Sequence, residues 1–164
     1  MSASRKLMII GSLAIVIWSM GYGLFYAAFA EHQMSDGLGS SLASGFVHAA
    51  ERRMPESQVA LAEAAERRFV YVRQVDAHGH WGGLALLLLI LGIGFDRVAF
   101  SERTRCLIAW ALVVGSFLFP LAVLLETTNN GAGPKLLAVI SSSLVIAGMG
   151  GVAWGFARTE PSRE

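Results

Sequence analysis

Residues 74–92, "QVDAHGHWGGLALLLLILG", place a carboxylate and two histidines where a charged stretch enters a long apolar run. Imidazole and carboxylate together suit copper, zinc or iron, and two histidines from different helices can hold a haem. Asp76, His78 and His80 are therefore candidate ligands. On a helix, residues two apart point about 200° apart, so His78 and His80 cannot grip one ion from one helical face. Asp76 and His80, four apart, can. His78 shares its face with Tyr71 and Trp81 instead. Further ligands must come from elsewhere, and His32, His48 and Glu126 are the candidates in the same part of the chain. All four histidines fall between residues 32 and 80, and Met34 and Met54 lie among them. The competing reading is plainer: a polar His/Asp/Trp collar at a helix end, with no ligand bound.

The elements that position these residues are written in the charge pattern. The chain has 164 residues, 15% of them charged and 54% hydrophobic, with mean hydropathy +0.55. Soluble domains carry about 25% charged residues. The deficit is gathered in four charge-free runs, 7–30, 81–95, 106–125 and 136–157. About 20 apolar residues cross a hydrocarbon layer ~30 Å thick. Three runs suffice; 81–95 yields only about 22 Å of helix, so either the histidines or Asp96 and Arg97 lie within an interface. The fold expected is all-α: one polytopic membrane domain, a bundle of four transmembrane helices at about 7–30, 78–98, 106–126 and 136–157. The first run is preceded by Arg5 and Lys6 and ends in Ala28-Phe29-Ala30, which resembles a signal peptide, but it exceeds the 7–15 residues of a signal core.

The connection 31–77 is long and partly helical. Its "SDGLGSSLASG" (35–45) reads as irregular, being rich in glycine and serine. Two copies of Ala-Ala-Glu-Arg-Arg-apolar follow, separated by Pro55. Proline belongs in a first helical turn, so a short helix ends near Arg53 and another begins near Pro55. Residues 56–76 hold no glycine or proline and favour helix. The second span should thus be extended outside the membrane by an amphipathic helix, with Ala62, Ala65, Phe69, Val72 and Asp76 on one face. That face packs on the protein itself or serves a partner subunit. Small residues four apart, Ser19/Gly23/Ala27 and Ser143/Ala147/Gly151/Gly155, favour close helix packing in lipid.

Arg5, Lys6, Arg97, Arg103, Arg105, Arg158 and Arg163 flank one side of the spans, against Lys135 and the arginines of the long connection on the other. The short loops and termini favour both termini in the cytoplasm of a cell inner membrane, with 31–77 outside. No ionisable side chain lies inside the runs except Cys106, Tyr22 and Tyr26, which disfavours an ion path through the midplane. Net charge is +1 with no basic patch, so nucleic acid is not an expected partner. One cysteine forms no internal disulfide. No Ser/His/Asp arrangement, phosphate loop or Cys-x-x-Cys occurs, and whether the chain is an enzyme stays open.

"GLFYAAFAE", a loop, then "VDAHGHWGGLALLLLILG" resembles small four-helix membrane proteins with His-x-His opening the second helix, distantly similar to the haem–copper oxidase and nitric oxide reductase group. The resemblance covers about a quarter of the chain and implies His78 and His80 as haem or copper ligands. The long connection departs from it, and the last two spans hold no histidine. "ERRFVYVRQVDAHGHW" is similar to the Arg-rich entry to helix two of membrane-associated eicosanoid and glutathione metabolism proteins, whose Arg and Tyr pattern in the third helix is absent here. The sequence therefore supports three readings. The first is an outer-face His/Asp cluster binding a transition metal, copper foremost, or haem, within a respiratory or oxidase-like assembly involved in electron transfer. The second is a non-catalytic accessory subunit docking on a larger membrane complex, as a homo- or hetero-oligomer with other membrane subunits. The third is an eicosanoid/glutathione-type enzyme.

Overall fold

The computed structural model describes residues 1–129 and 131–158; Arg163, counted above for orientation, lies outside them. The described residues are helical almost throughout. Helix α1 (Ala3–Phe25) passes through a π-helical turn, Tyr26–Ala30, into α2 (Glu31–Ala50). Helix α3 (Met54–Gly94) ends in a single 3-10 turn, Phe95–Arg97, and α4 (Glu102–Leu125) and α5 (Ala132–Ala157) follow. Four helical rods, Ala3–Ala50, Met54–Arg97, Glu102–Leu125 and Ala132–Ala157, are long and apolar enough to cross a membrane.

Residues 35–45 are not irregular; they lie within α2. Glycine and serine are poor helix formers, but here they fall four apart and face α3. Ser41 and Gly45 are buried. A Cβ on Gly37 would meet Arg67 at 2.6 Å, and one on Gly45 would meet Leu61 at 2.9 Å. Ser57 Oγ donates to the Gly45 carbonyl at 2.9 Å. Close helix approach outweighs local propensity, and the connection becomes an antiparallel hairpin of α2 against the first half of α3. Its turn has a defined geometry. The Arg53 N–H bonds to His48 O at 2.8 Å and the Arg52 N–H to Ala49 O at 3.0 Å, the paired closure of a Schellman motif. Arg52 takes the left-handed conformation, φ 59°, usually given to glycine. Pro55 sits in the first turn of α3, as its position in the sequence requires, and α3 runs 41 residues without a break.

The core lies among α1, α3 and α4, where Met8, Ile15, Trp81, Leu88 and Leu112 are buried. Helix α5 packs mainly on α4. A Cβ on Gly115 would meet Ser141 O at 2.8 Å, and one on Gly148 would meet Leu112 at 2.7 Å. Gly151 and Gly155 of the small-residue ladder do face inward, on Ile108 and on Val98 and Phe100. Ser143 and Ala147 point outward. The contact stripe runs 141, 148, 151, 155, following helical pitch rather than a strict step of four.

At the end opposite the hairpin, the chain closes on itself. Arg5 Nη1 pairs with Asp96 Oδ2 at 3.1 Å, and Ser2 Oγ donates to the same carboxylate. The Ser4 N–H donates to Glu102 Oε1 at 2.8 Å, and Arg105 Nη2 meets Glu102 Oε2 at 2.7 Å. Asp96 is thus bound to α1, not only placed beside Arg97. Its carboxyl lies below the usual range, held there first by the Ser2 hydroxyl and then by Arg5. Glu102 is lowered too, chiefly by the Ser4 backbone N–H.

Candidate functional site

Helix α3 carries Asp76, His78 and His80 on continuous α-helix, so the two histidines diverge as helical geometry demands. His78 turns toward α1. Its Nδ1 donates to the Ser19 carbonyl at 3.1 Å and lies 3.3 Å from Ser19 Oγ. The Ser19 hydroxyl donates back to the His78 carbonyl at 3.3 Å. A carbonyl can only accept, so in this pattern Nδ1 carries a proton. The imidazole lies across the backbone of Gly23, where a Cβ would meet Cε1 at 2.6 Å. Only glycine leaves room for it. Tyr22 flanks the ring at 6.5 Å between centroids.

Around this contact the α1–α3 interface is aromatic. Tyr22 stacks on Tyr26 and meets Trp81 edge-on at 5.4 Å, and Tyr26 lies 6.4 Å from Tyr71. The face shared by Tyr71, His78 and Trp81 is therefore the one that α1 covers. Trp18, the tryptophan deep in the first span, packs edge-on against Trp81 and Phe117. Trp81 is fully buried, and its indole N–H donates to the Phe117 carbonyl at 2.9 Å. Pro120, three residues on, interrupts the hydrogen-bond ladder of α4 in this turn. The Tyr26 hydroxyl and Gln74 Oε1 are buried here without a hydrogen-bond partner among the described residues.

His80 faces α4 and tilts against Phe119, with ring centroids 5.1 Å apart. Asp76 is partly buried one turn earlier, and the two make no ion-pair contact within 4.0 Å. Glu126 is engaged by Arg73, Nη2 to Oε2 3.1 Å, with only 11% of its side chain exposed. His48 lies in the last turn of α2, 3.9 Å from Glu51. Since α2 runs antiparallel to α3 with Gly45 beside Ser57, His48 stands at the hairpin tip, roughly 30 Å of helix from Asp76. His32, in the first turn of α2, is about 24 Å along that helix from His48. The six candidate ligands are thus spread over the length of the hairpin and its base. Among the described residues no three His, Cys, Asp or Glu side chains come together to hold a metal ion. Sequence clustering of histidines does not become spatial clustering, because α2 carries two of them away along a rod.

No family model, curated protein or solved structure matches this chain. What it does must therefore be argued from its own side chains. Two features escape a reading of the sequence. Gly23 is the seat of His78, and its signal was the Ser19/Gly23 spacing four apart. The Arg73–Glu126 pair joins residues 53 positions apart and has no local signal. It marks a charged layer at the base of the hairpin. Asp96 with Arg5 marks another, about 34 Å further along α3. Asp76, His78 and His80 fall between these layers, so the stretch between them begins before the charge-free run 81–95.

Proposed function

We propose that this protein is a non-catalytic accessory subunit of a membrane assembly, anchored by four spanning helices, with the α2–α3 hairpin as its docking arm. The spacing of the two charged layers suits a hydrocarbon core of ~30 Å, so the hairpin stands outside it. The excess of arginine and lysine at the termini and in the 96–105 connection favours a cell inner membrane with cytoplasmic termini and the arm on the outer side.

One observation carries this reading. The arm exposes large apolar side chains where no lipid covers them: Phe46 is 70% exposed, with Val47, Val59 and Val72 also bare. Such residues on a water-facing hairpin are open to another protein. The metal reading lacks an equivalent, since the candidate ligands do not converge among the described residues and Glu126 is engaged by Arg73.

The test is the mass of the particle purified in a mild detergent, measured by light scattering. It should exceed that of one chain, and serine at Phe46, Val47, Val59 and Val72 together should release the single chain. A stoichiometric metal or a haem absorbance band, lost on His78→Ala with His80→Ala, would overturn this reading in favour of a cofactor site.

A further inference from the structure

The charges of this chain are divided unevenly between its two ends. The hairpin and its base, residues 31–76 with Glu126 and Lys135, hold eight carboxylates and six basic side chains. The far end holds six basic side chains, Arg5, Lys6, Arg97, Arg103, Arg105 and Arg158, against two carboxylates, Asp96 and Glu102. The chain itself already engages both carboxylates. Asp96 accepts from Ser2 and Arg5, and Glu102 from the Ser4 N–H and Arg105. Lys6 and Arg103 are exposed, and their side chains make no hydrogen bond or ion pair among the described residues. Arg158 lies over the Trp154 ring, 5.7 Å from its centroid, and pairs with no carboxylate there. The three cations come from different helices to one level of the bundle. Lys6 follows the paired Arg5, and Arg103 follows the paired Glu102. Arg158 stands three residues past Gly155, whose carbonyl accepts from the Ala99 N–H at 3.1 Å. Residues 159–164 add one arginine and two glutamates, too little negative charge to neutralise three cations.

We propose that this end of the bundle binds anionic phospholipid headgroups, with Lys6, Arg103 and Arg158 on the phosphates. The inference rests on the reading of the four helices as spans and names the lipid class that the far end takes. Depth and chemistry both favour it. The headgroup layer extends roughly 5–8 Å beyond the hydrocarbon on each side, and each of the three cations lies within about one helical turn of the Arg5–Asp96 layer. Trp154, 61% exposed one turn before Arg158, takes the place of an indole at a membrane interface. A basic side chain without a carboxylate partner at that depth faces phosphodiesters. A zwitterionic lipid brings its own cation to the phosphate and gains little, whereas an anionic lipid gains the full attraction.

Titration of a fluorescent phosphatidylglycerol into the full chain in a mild detergent, read by energy transfer from tryptophan, tests the site. Binding should saturate, and phosphatidylcholine with the same acyl chains should not compete. Lys6→Gln, Arg103→Gln and Arg158→Gln should each weaken it roughly fivefold, the worth of one basic side chain at an anionic surface. Lys135→Gln, at the other end of α5, should weaken it less than any of the three. None of the three side chains holds a carboxylate among the described residues, so helicity and thermal midpoint should stay where they are. A chain ending at Arg158 should bind at least as tightly. Equal competition by phosphatidylcholine, or undiminished binding by the triple variant, overturns the proposal. Displacement by inorganic phosphate beyond that by chloride at equal ionic strength also overturns it, in favour of a site for the free anion. Washing membranes with alkaline carbonate checks the spans separately. A chain that washes off overturns both readings, and an inserted chain with no preference for phosphatidylglycerol overturns this inference alone.

Discussion

His78 Nδ1 lies 3.1 Å from the carbonyl oxygen of Ser19, across the interface of α1 and α3. A histidine that the sequence offers as a ligand is thereby a clamp between two helices. It satisfies a backbone acceptor and packs its ring edge on Gly23. Gly23→Val should be more disruptive than His78→Ala: the first forces the ring off α1, at the 1–3 kcal/mol typical of overpacking, and the second removes one hydrogen bond worth about 1 kcal/mol. Thermal unfolding in detergent, read by circular dichroism, ranks the two.

The Gly45 contact fixes the arm in the same manner. Gly45→Leu drives a side chain into Leu61 and displaces the Ser57 hydroxyl from its carbonyl. The hairpin should splay while the spanning helices stay folded. Hydrogen exchange would then rise in α2 and in the first half of α3, with protection unchanged in α4 and α5.

Arg52 holds a left-handed backbone that costs an L-residue roughly 1–2 kcal/mol. Arg52→Gly should stabilise the hairpin by about 1 kcal/mol, unless the glycine's greater freedom in the unfolded chain offsets the gain. Slower cleavage of the hairpin tip by a non-specific protease is the readout. Faster cleavage would show that the Arg52 side chain stabilises the turn by more than its backbone strain costs.

Asp96 and Glu102 both titrate below their ordinary values. Each stabilises the folded chain above its unfolded pKa, near 4, and that contribution is lost as pH falls through the lower folded value. Stability should therefore be flat from pH 7 to about 5 and decline below about 4. With Asp96→Asn and Glu102→Gln together, the acid decline should shrink, and the loss should already be present at pH 7.

Much of this architecture is legible in residue order. Charge-free runs mark the four long apolar rods, and Pro55 with the glycine-free stretch after it marks the long α3. Helical geometry alone separates His78 from His80. What is not legible depends on contacts between distant residues. Residues 35–45 read as loop because propensity counts each glycine as a breaker, whereas Gly37, Ser41 and Gly45 are a packing face once α3 lies against them. The candidate ligands are dispersed for the converse reason: His32 and His48 are near Asp76 in sequence terms only, and a straight helix carries them apart. The amphipathic face of α3 from Ala62 to Asp76 is legible in residue order.

Both legs of the hairpin are continuous with helices of the span: α3 has no break between Met54 and Gly94, and α1 reaches α2 through a π turn. The arm consequently has no joint at its base. Tilting its tip must tilt the long apolar helices, pivot about the Arg73–Glu126 layer, and strain the Ser2, Ser4 and Arg5 contacts at the far end. The molecule is built as a lever about that layer, with about 29 Å of α3 on the hairpin side and about 34 Å on the other.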